Sequence, residues 1–450
     1  MRATAEEVIP AGPDAAGRAL NRAVRSWRGA WVVWGLAALC YFTSLFHRAS
    51  LGVAAPQALE RFSAGPAVLS LFSALQLGVY LALQVPSGLL ADRLGPRRVI
   101  TGGMAALAAG SVVFGLSGSL LGGIAGRMLI GFGDAFMFTN VLRLAAHWFP
   151  PRRFGRIAAL TGLVGGFGQV VATVPLSAAL YGLGWVPTFV GAAAVTAVLA
   201  GVAAAIIRDR PSVDAARESG GYEPAEGIGQ ALRTVWAQRG TRHSFWVHFV
   251  LMGQFVAVTA LWGPPWLTRA QGYSSADAGM LVLVCVLGFL AGSWLAAQYV
   301  AGRPQRREGG TLVVSSVVVL AWGLVIGWPG ALPLPLLLGV LIVIGAGGGA
   351  AMLAFDGARA ANAAHRSGAA SGVVNMGGFT AAVLIQLGVG GVLRMVGEVP
   401  AVQAYRWGFV PVLVLLAAGT VAQWLRCARR VGPSVSRCDG SGASTEVSPR

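Results

Sequence analysis

Charged side chains interrupt otherwise apolar stretches in the first third of this 450-residue chain: Arg48, and then Arg127, Asp134 and Arg143 within one segment. An arginine removed from water is a recognition group, because its planar fork of donors can engage a carboxylate or a phosphate in pairs. An isolated aspartate can exchange a proton when access to it changes, or it can neutralise an arginine on a neighbouring element. Both readings stand for Asp134. Arg48 also has two, facing an anion or bonding backbone carbonyls while extending toward a polar rim. His47, adjoining Arg48, is a second candidate for proton exchange, against the alternative of a packed, hydrogen-bonded ring. Seven residues separate Arg127 from Asp134, close to two helical turns, so a helix carries both on a similar face.

Uncharged polar groups recur in the same kind of surroundings: Tyr41, Gln76, Tyr80, Gln84, Gln169, Trp262 and Asn375. Together they suit the wall of a polar cavity, and singly each can equally bond across helices. Hydrolytic or phosphoryl chemistry would need other patterns. The chain has no HExxH, no phosphate-cradling Walker loop and no nucleophile beside an evident base, so no catalytic residue is assigned and an enzyme is not expected. Cys40, Cys285, Cys427 and Cys438 stand singly without metal-type spacing, and neither a metal nor another cofactor is expected.

The elements that must position these groups follow from composition. Apolar residues make up 55% of the chain and charged ones only 11%, and mean hydropathy is +0.67. Apolar segments run near 31–55, 67–90, 99–117, 121–148, 155–180, 186–207, 244–267, 276–300, 311–328, 334–356, 368–393 and 405–425. Most match the roughly 20 residues that a membrane-crossing helix needs. An all-α membrane protein of twelve transmembrane helices is therefore expected, organised as a tail (1–28), a six-helix half (29–207), a polar linker (208–243), a second six-helix half (244–425) and a second tail (426–450).

A net charge of +17 invites a nucleic-acid reading. Position argues against it, because the basic residues are all arginine and gather in alternate loops rather than on one face. Outside the spans, every arginine except Arg61, Arg269, Arg394 and Arg406 falls in the tails, the linker or the loops on their side. Such asymmetry places both termini and the linker in the cytoplasm of a cell whose inner (plasma) membrane holds the protein, with acidic lipid as the partner of the charge. Glycines inside the spans, as at Gly162, Gly165, Gly166 and Gly168, are the usual device for close helix packing in lipid.

Where the second span ends, the chain reads Gly88-Leu89-Leu90-Ala91-Asp92-Arg93-Leu94-Gly95-Pro96-Arg97-Arg98. A turn with an acid and several arginines at a helix end can form a charged latch. This stretch resembles the signature of the major facilitator superfamily, with Gly88, Ala91, Asp92, Arg93, Gly95 and Arg97 in the matching places and Pro96 in place of a basic residue. The segment Gly126-Arg127-Met128-Leu129-Ile130-Gly131 resembles that superfamily's intramembrane arginine motif in the fourth span. A third element, Gly162 to Gln169 followed by Pro175, matches only loosely the glycine-rich motif of exporters. Gly292 to Arg307 repeats the first motif's position in the second half, without its acid.

The resemblance covers roughly residues 30–425 and implies a secondary transporter that binds a small molecule between two halves and works as a monomer by alternating access. It also implies gating roles for Gly88, Asp92, Arg93, Gly95, Arg97 and Arg127. Arg48, eight residues before Pro56, resembles the first-helix arginine of the superfamily's organic-anion transporters. In the seventh span, where a partner base for phosphate would stand, the chain offers Gln254, Thr259 and Trp262. The expectation is proton-coupled uptake (symport) of a small organic anion of modest charge. The alternatives are proton-coupled export of an amphiphilic compound or drug and, more remotely, a transporter-like sensor.

Overall fold

The computed structural model describes residues 13–209, 228–363 and 366–431. Within these no strand occurs, and eleven helices are long and apolar enough to cross a membrane. They are α1 (Arg28–Val53), α3 (Pro96–Leu116), α4 (Leu120–Trp148), α5 (Leu160–Gly182), α6 (Trp185–Ile206), α7 (Arg239–Arg269), α8 (Ser275–Val300), α9 (Pro304–Gly327), α10 (Leu334–Ala360), α11 (Ala369–Met395) and α12 (Ala401–Cys427). The twelfth, α2, is made of two helices, Pro66–Ala82 and Gln84–Leu94, that meet at Leu83. Its break has a local cause: Pro86 cannot donate to the carbonyl of Ala82.

Two boundaries differ from those expected from hydropathy. The helix that contains α1 begins at Pro13, well inside the expected tail. On the linker side, α7 begins at Arg239 and is preceded by a helix over Ile228–Ala237, so part of the expected linker is helical. Hydropathy marks where apolar residues start, whereas a helix continues through polar residues as long as its backbone bonds are kept.

Helices α1–α6 and α7–α12 form two bundles. Within the second bundle α8 and α10 approach through glycines, and a Cβ on Gly349 or Gly345 would run into the carbonyls of Phe289 or Cys285. Lipid gives helices little reason to associate, so this close fit supplies the attraction. Between the bundles contacts occur at several depths. Gly52 of α1 meets α7 toward the end remote from the linker, and Tyr181 Oη lies 3.1 Å from Ser275 Oγ there. Nearer the linker end, Phe138 of α4 faces Phe355 of α10 at 6.1 Å.

The approach of α1 to α7 depends on backbone chemistry. Pro264 and Pro265 have no N–H to offer the carbonyls of Ala260 and Leu261. Residues Val258–Trp262 accordingly form a π-helical turn, with Gly263 N–H donating to the Val258 carbonyl. Gly52 packs directly on that turn, and a Cβ there would lie 3.0 Å from both carbonyl atoms of Ala260.

Candidate functional site

The first bundle places its charges at helix interruptions. Asp134 is the last residue of the first segment of α4, before a break at Ala135–Met137. Arg48 lies in the last two turns of α1 before the helix ends at Val53. Across that gap the Arg48 Nε donates to Asp134 Oδ2 at 2.7 Å and Nη2 donates to Oδ1 at 3.0 Å. Ser44, one turn before Arg48 on the same face, donates its hydroxyl to Asp134 Oδ1. Asp134 is fully buried and Arg48 is 8% exposed. The planar fork and the carboxylate are thus paired in two bonds, as this geometry favours.

Aromatic rings cover the pair. The Arg48 guanidinium lies 4.5 Å from the ring centre of Tyr80 on α2 and 4.8 Å from that of Phe379 on α11. Such faces attract a desolvated cation. Asn375, one turn before Phe379, donates to Tyr80 Oη at 3.0 Å and to Gln84 Oε1 at 2.9 Å. The site therefore has contributors from both bundles. Tyr41 is within electrostatic reach of Arg48 and packs against Phe138 at 5.3 Å.

Arg127 is turned elsewhere. Its Nη1 donates to the His47 carbonyl at 3.2 Å and to Ser50 Oγ at 3.3 Å, its Nη2 donates to the Arg48 carbonyl at 3.4 Å, and its charge rests 5.2 Å from the Phe114 ring. It ties α4 to the carbonyls of α1, away from the motif that ends α2. His47 faces α6, with Nε2 2.8 Å from Thr196 Oγ1. Gln76 is buried with neither amide atom hydrogen-bonded, and Gln169 Oε1 is likewise unbonded. Trp262 donates to the Gln386 carbonyl at 3.3 Å within the second bundle. Gln254 is engaged there too, donating to two carbonyls and accepting from Trp322.

At the linker end, Gly95 adopts a left-handed backbone (φ +80°) and packs against Asp209 at the end of α6. Asp209 Oδ1 accepts the Arg97 backbone N–H at 2.6 Å, while the Arg97 guanidinium donates to the Ala204 carbonyl. The arginine of the motif thus grips the end of α6. The side chains of Asp92 and Arg93 and the surroundings of Gly88 lie outside the described residues.

Residues 37–386 match the family model of the Major Facilitator Superfamily. The chain belongs to that superfamily. Its fold matches a crystal structure of a bacterial homologue of the human lysosomal transporter Spinster, with a TM-score of 0.67 at 17% identity, over 89% of this chain and 97% of that one. Among sequence relatives, the probable sulfoacetate transporter SauU of Cupriavidus necator is 24% identical over 58% of this chain and 62% of its own length. A putative tartrate transporter of Agrobacterium vitis is 26% identical over 38% and 41%. A quinolone resistance transporter of Acinetobacter baumannii is 28% identical over 32% and 33%. The chain spans less than two thirds of the length of these curated relatives. As a superfamily member it is a multi-pass membrane protein of the transporter class.

Four features of the site escaped the sequence reading. Ser44 had a usable signal, since it stands four residues before Arg48. The prolines after Trp262 signalled the interrupted α7. Asp209 and Phe379 carried no local signal, because their partners are 112 and more residues away and only the fold brings them near.

Proposed function

We propose that this protein takes up a small organic anion bearing a carboxylate or sulfonate, coupled to proton entry through Asp134. One observation carries this reading: two buried guanidinium groups, Arg48 and Arg127, stand against one buried carboxylate, Asp134, which bonds Arg48 while Arg127 is held by backbone carbonyls and Ser50. The centre of the first bundle therefore holds one positive charge in excess, which a low-polarity interior cannot hide and which attracts an anion. Arg127 is occupied by backbone carbonyls, so Arg48 is the exchangeable partner.

The pair also offers a coupling step. With Asp134 ionised, both of its oxygens hold the Arg48 fork. A proton on Asp134 removes the charge that binds Arg48 and frees the donors for a substrate carboxylate, with Tyr80 and Phe379 stacked against the cation. Release of the substrate returns Arg48 to Asp134 and expels the proton. Proton and anion then occupy the site together, which is symport. In the middle of α7 stand Gln254 and Thr259 rather than a second arginine or lysine, which favours a singly charged group over a phosphate dianion. The names of the sulfoacetate and tartrate transporters that the chain resembles point to the same class.

Proteoliposomes with an imposed pH gradient test the reading. Uptake of sulfoacetate, tartrate or another small organic acid should rise when the gradient drives protons inward with the solute, and Arg48→Ala should abolish it. A wild-type protein that instead expels an amphiphilic compound from the vesicles under the same inward proton gradient would establish export, the alternative consistent with the quinolone resistance relative.

A further inference from the structure

A cavity with charged residues in its lining lies at the linker end of the second bundle, far in sequence from the Arg48 site. It encloses about 510 Å³ where the start of α7, the loop before α9 and the end of α10 converge. Its rim is exposed at Gln238, Arg239, Pro304 and Gln305, and its floor is buried at His243 and Ser244. The transport site uses none of these residues.

Three kinds of positive potential meet in it. The segments 237–244, 303–308 and 356–361 carry six arginines, Arg239, Arg242, Arg303, Arg306, Arg307 and Arg359, against two carboxylates, Glu308 and Asp356. Arg239 and Arg307 line the cavity itself, with Glu308 among them. Arg307 Nε is buried and makes no hydrogen bond, although the group feels the charge of Asp356. Finally, α7 begins after Gln238 and the helical part of α9 after Arg306, and neither start is capped by a side chain. A helix start at α7 without a side-chain cap, a buried and unbonded Nε donor on Arg307 and a chamber lined by Arg239 form a receptor for an anion with several oxygens.

The depth of the cavity indicates where that anion comes from. Arg239 and Pro304 are the first residues of two membrane-crossing helices. Trp236 and Tyr299 stand exposed beside it, and Arg306 lies 5.9 Å from the Tyr299 ring. Tryptophan and tyrosine exposed at span ends mark the level of lipid headgroups, and arginines there bind acidic ones.

We propose that this cavity binds a phosphate group, supplied by the headgroup of an anionic phospholipid. An occupant would bridge the start of α7 and the end of α10, which are already tied by Asn362, just past α10, whose Nδ2 donates to Thr241 Oγ1 at 2.7 Å. The full-length protein, stripped of lipid in detergent, would be titrated with short-chain phosphatidylglycerol, phosphatidylcholine or inorganic phosphate. Native mass spectrometry would count what is retained, and the thermal midpoint would be followed in parallel. One phosphatidylglycerol per chain should be retained, at least tenfold more tightly than phosphatidylcholine, and Arg307→Gln should weaken it at least tenfold. Arg239→Gln, at the exposed rim, gives the same test if the buried change prevents folding. Retention of inorganic phosphate with no preference for the lipid would keep the phosphate site and replace its source by a soluble anion. Binding that is absent, or indifferent to both arginine substitutions, would overturn the proposal.

Discussion

At the residue scale, Arg48 and Asp134 are each legible as candidates, and an arginine on a neighbouring element is one of the two readings of Asp134, but which arginine it meets is not legible. The sequence shows an arginine with no acid on its own helix and an acid seven residues from a different arginine. The fold pairs Asp134 with Arg48 across 86 positions and gives Arg127 to the carbonyls of α1. A helical face limits direction without choosing the neighbour it meets, and tertiary packing made that choice. The pairing sharpens two predictions. Breaking a buried ion pair by removing one partner costs about 3–5 kcal/mol where the remaining charge stays ionised. Asp134→Asn leaves an amide that still accepts from Arg48 and Ser44, so folding should survive. Exchange of labelled solute across proteoliposomes should persist, whereas accumulation driven by a pH gradient should fall to background. Equal loss of both activities would assign Asp134 to structure. Arg48→Lys keeps the charge and loses the fork, so substrate affinity should drop at least tenfold, as measured by binding in detergent, while Arg48→Ala should bind nothing measurable.

At the scale of the elements, hydropathy reveals twelve apolar segments and misses how they are interrupted. The interruptions matter because α1, α2, α4 and α7 all break or end near the charged site, and three of these places involve proline chemistry that can be read directly: Pro56, Pro86 and Pro264. What cannot be read is that Gly52 seats against the turn Pro264 creates, since that contact joins residues far apart in the chain. Gly52→Val adds branched carbon where a single Cβ already lies 3.0 Å from the Ala260 carbonyl, so α1 and α7 must separate. Overpacking of this kind costs roughly 1–3 kcal/mol. The variant should reach the membrane yet transport severalfold more slowly, and wild-type rates at equal abundance would show that this approach is dispensable. The motif after α2 makes a parallel case. Asp209 was invisible as its partner, yet it supplies the acceptor for the first N–H of α3, and replacing such an acceptor with alanine costs about 0.5–2 kcal/mol. Asp209→Ala should therefore lower the thermal midpoint of the purified protein, with Asp209→Asn nearer the wild type; equal midpoints for all three would remove Asp209 from the cap.

At the scale of the whole molecule, the two bundles are held together around the site by hydrogen bonds that the proposed alternating access would break. Asn375 of α11 donates both protons of its amide across the divide, to Tyr80 and Gln84 of α2. These bonds lie beside the stacked Arg48, so opening the divide and releasing the cation from Phe379 are one event. A typical buried hydrogen bond contributes about 0.5–1.5 kcal/mol net, so the two together favour the closed arrangement by about 1–3 kcal/mol, enough to change an open-to-closed ratio by about 5-fold to 150-fold. Asn375→Ala removes both donors without adding bulk or charge. Spin labels placed at Leu94 and Gln305, exposed on opposite bundles at the linker end, report that ratio as a distance distribution once the native thiols are replaced. In the wild type the short distance should dominate, and in Asn375→Ala a longer one should gain population by at least fivefold, with substrate uptake slowed because the closed state is harder to reach. Tyr80→Phe, which removes one acceptor, should fall between them. Identical distributions in all three proteins would mean that other contacts, such as Phe138 with Phe355, hold this end closed, and that the polar bridge serves the substrate rather than the gate.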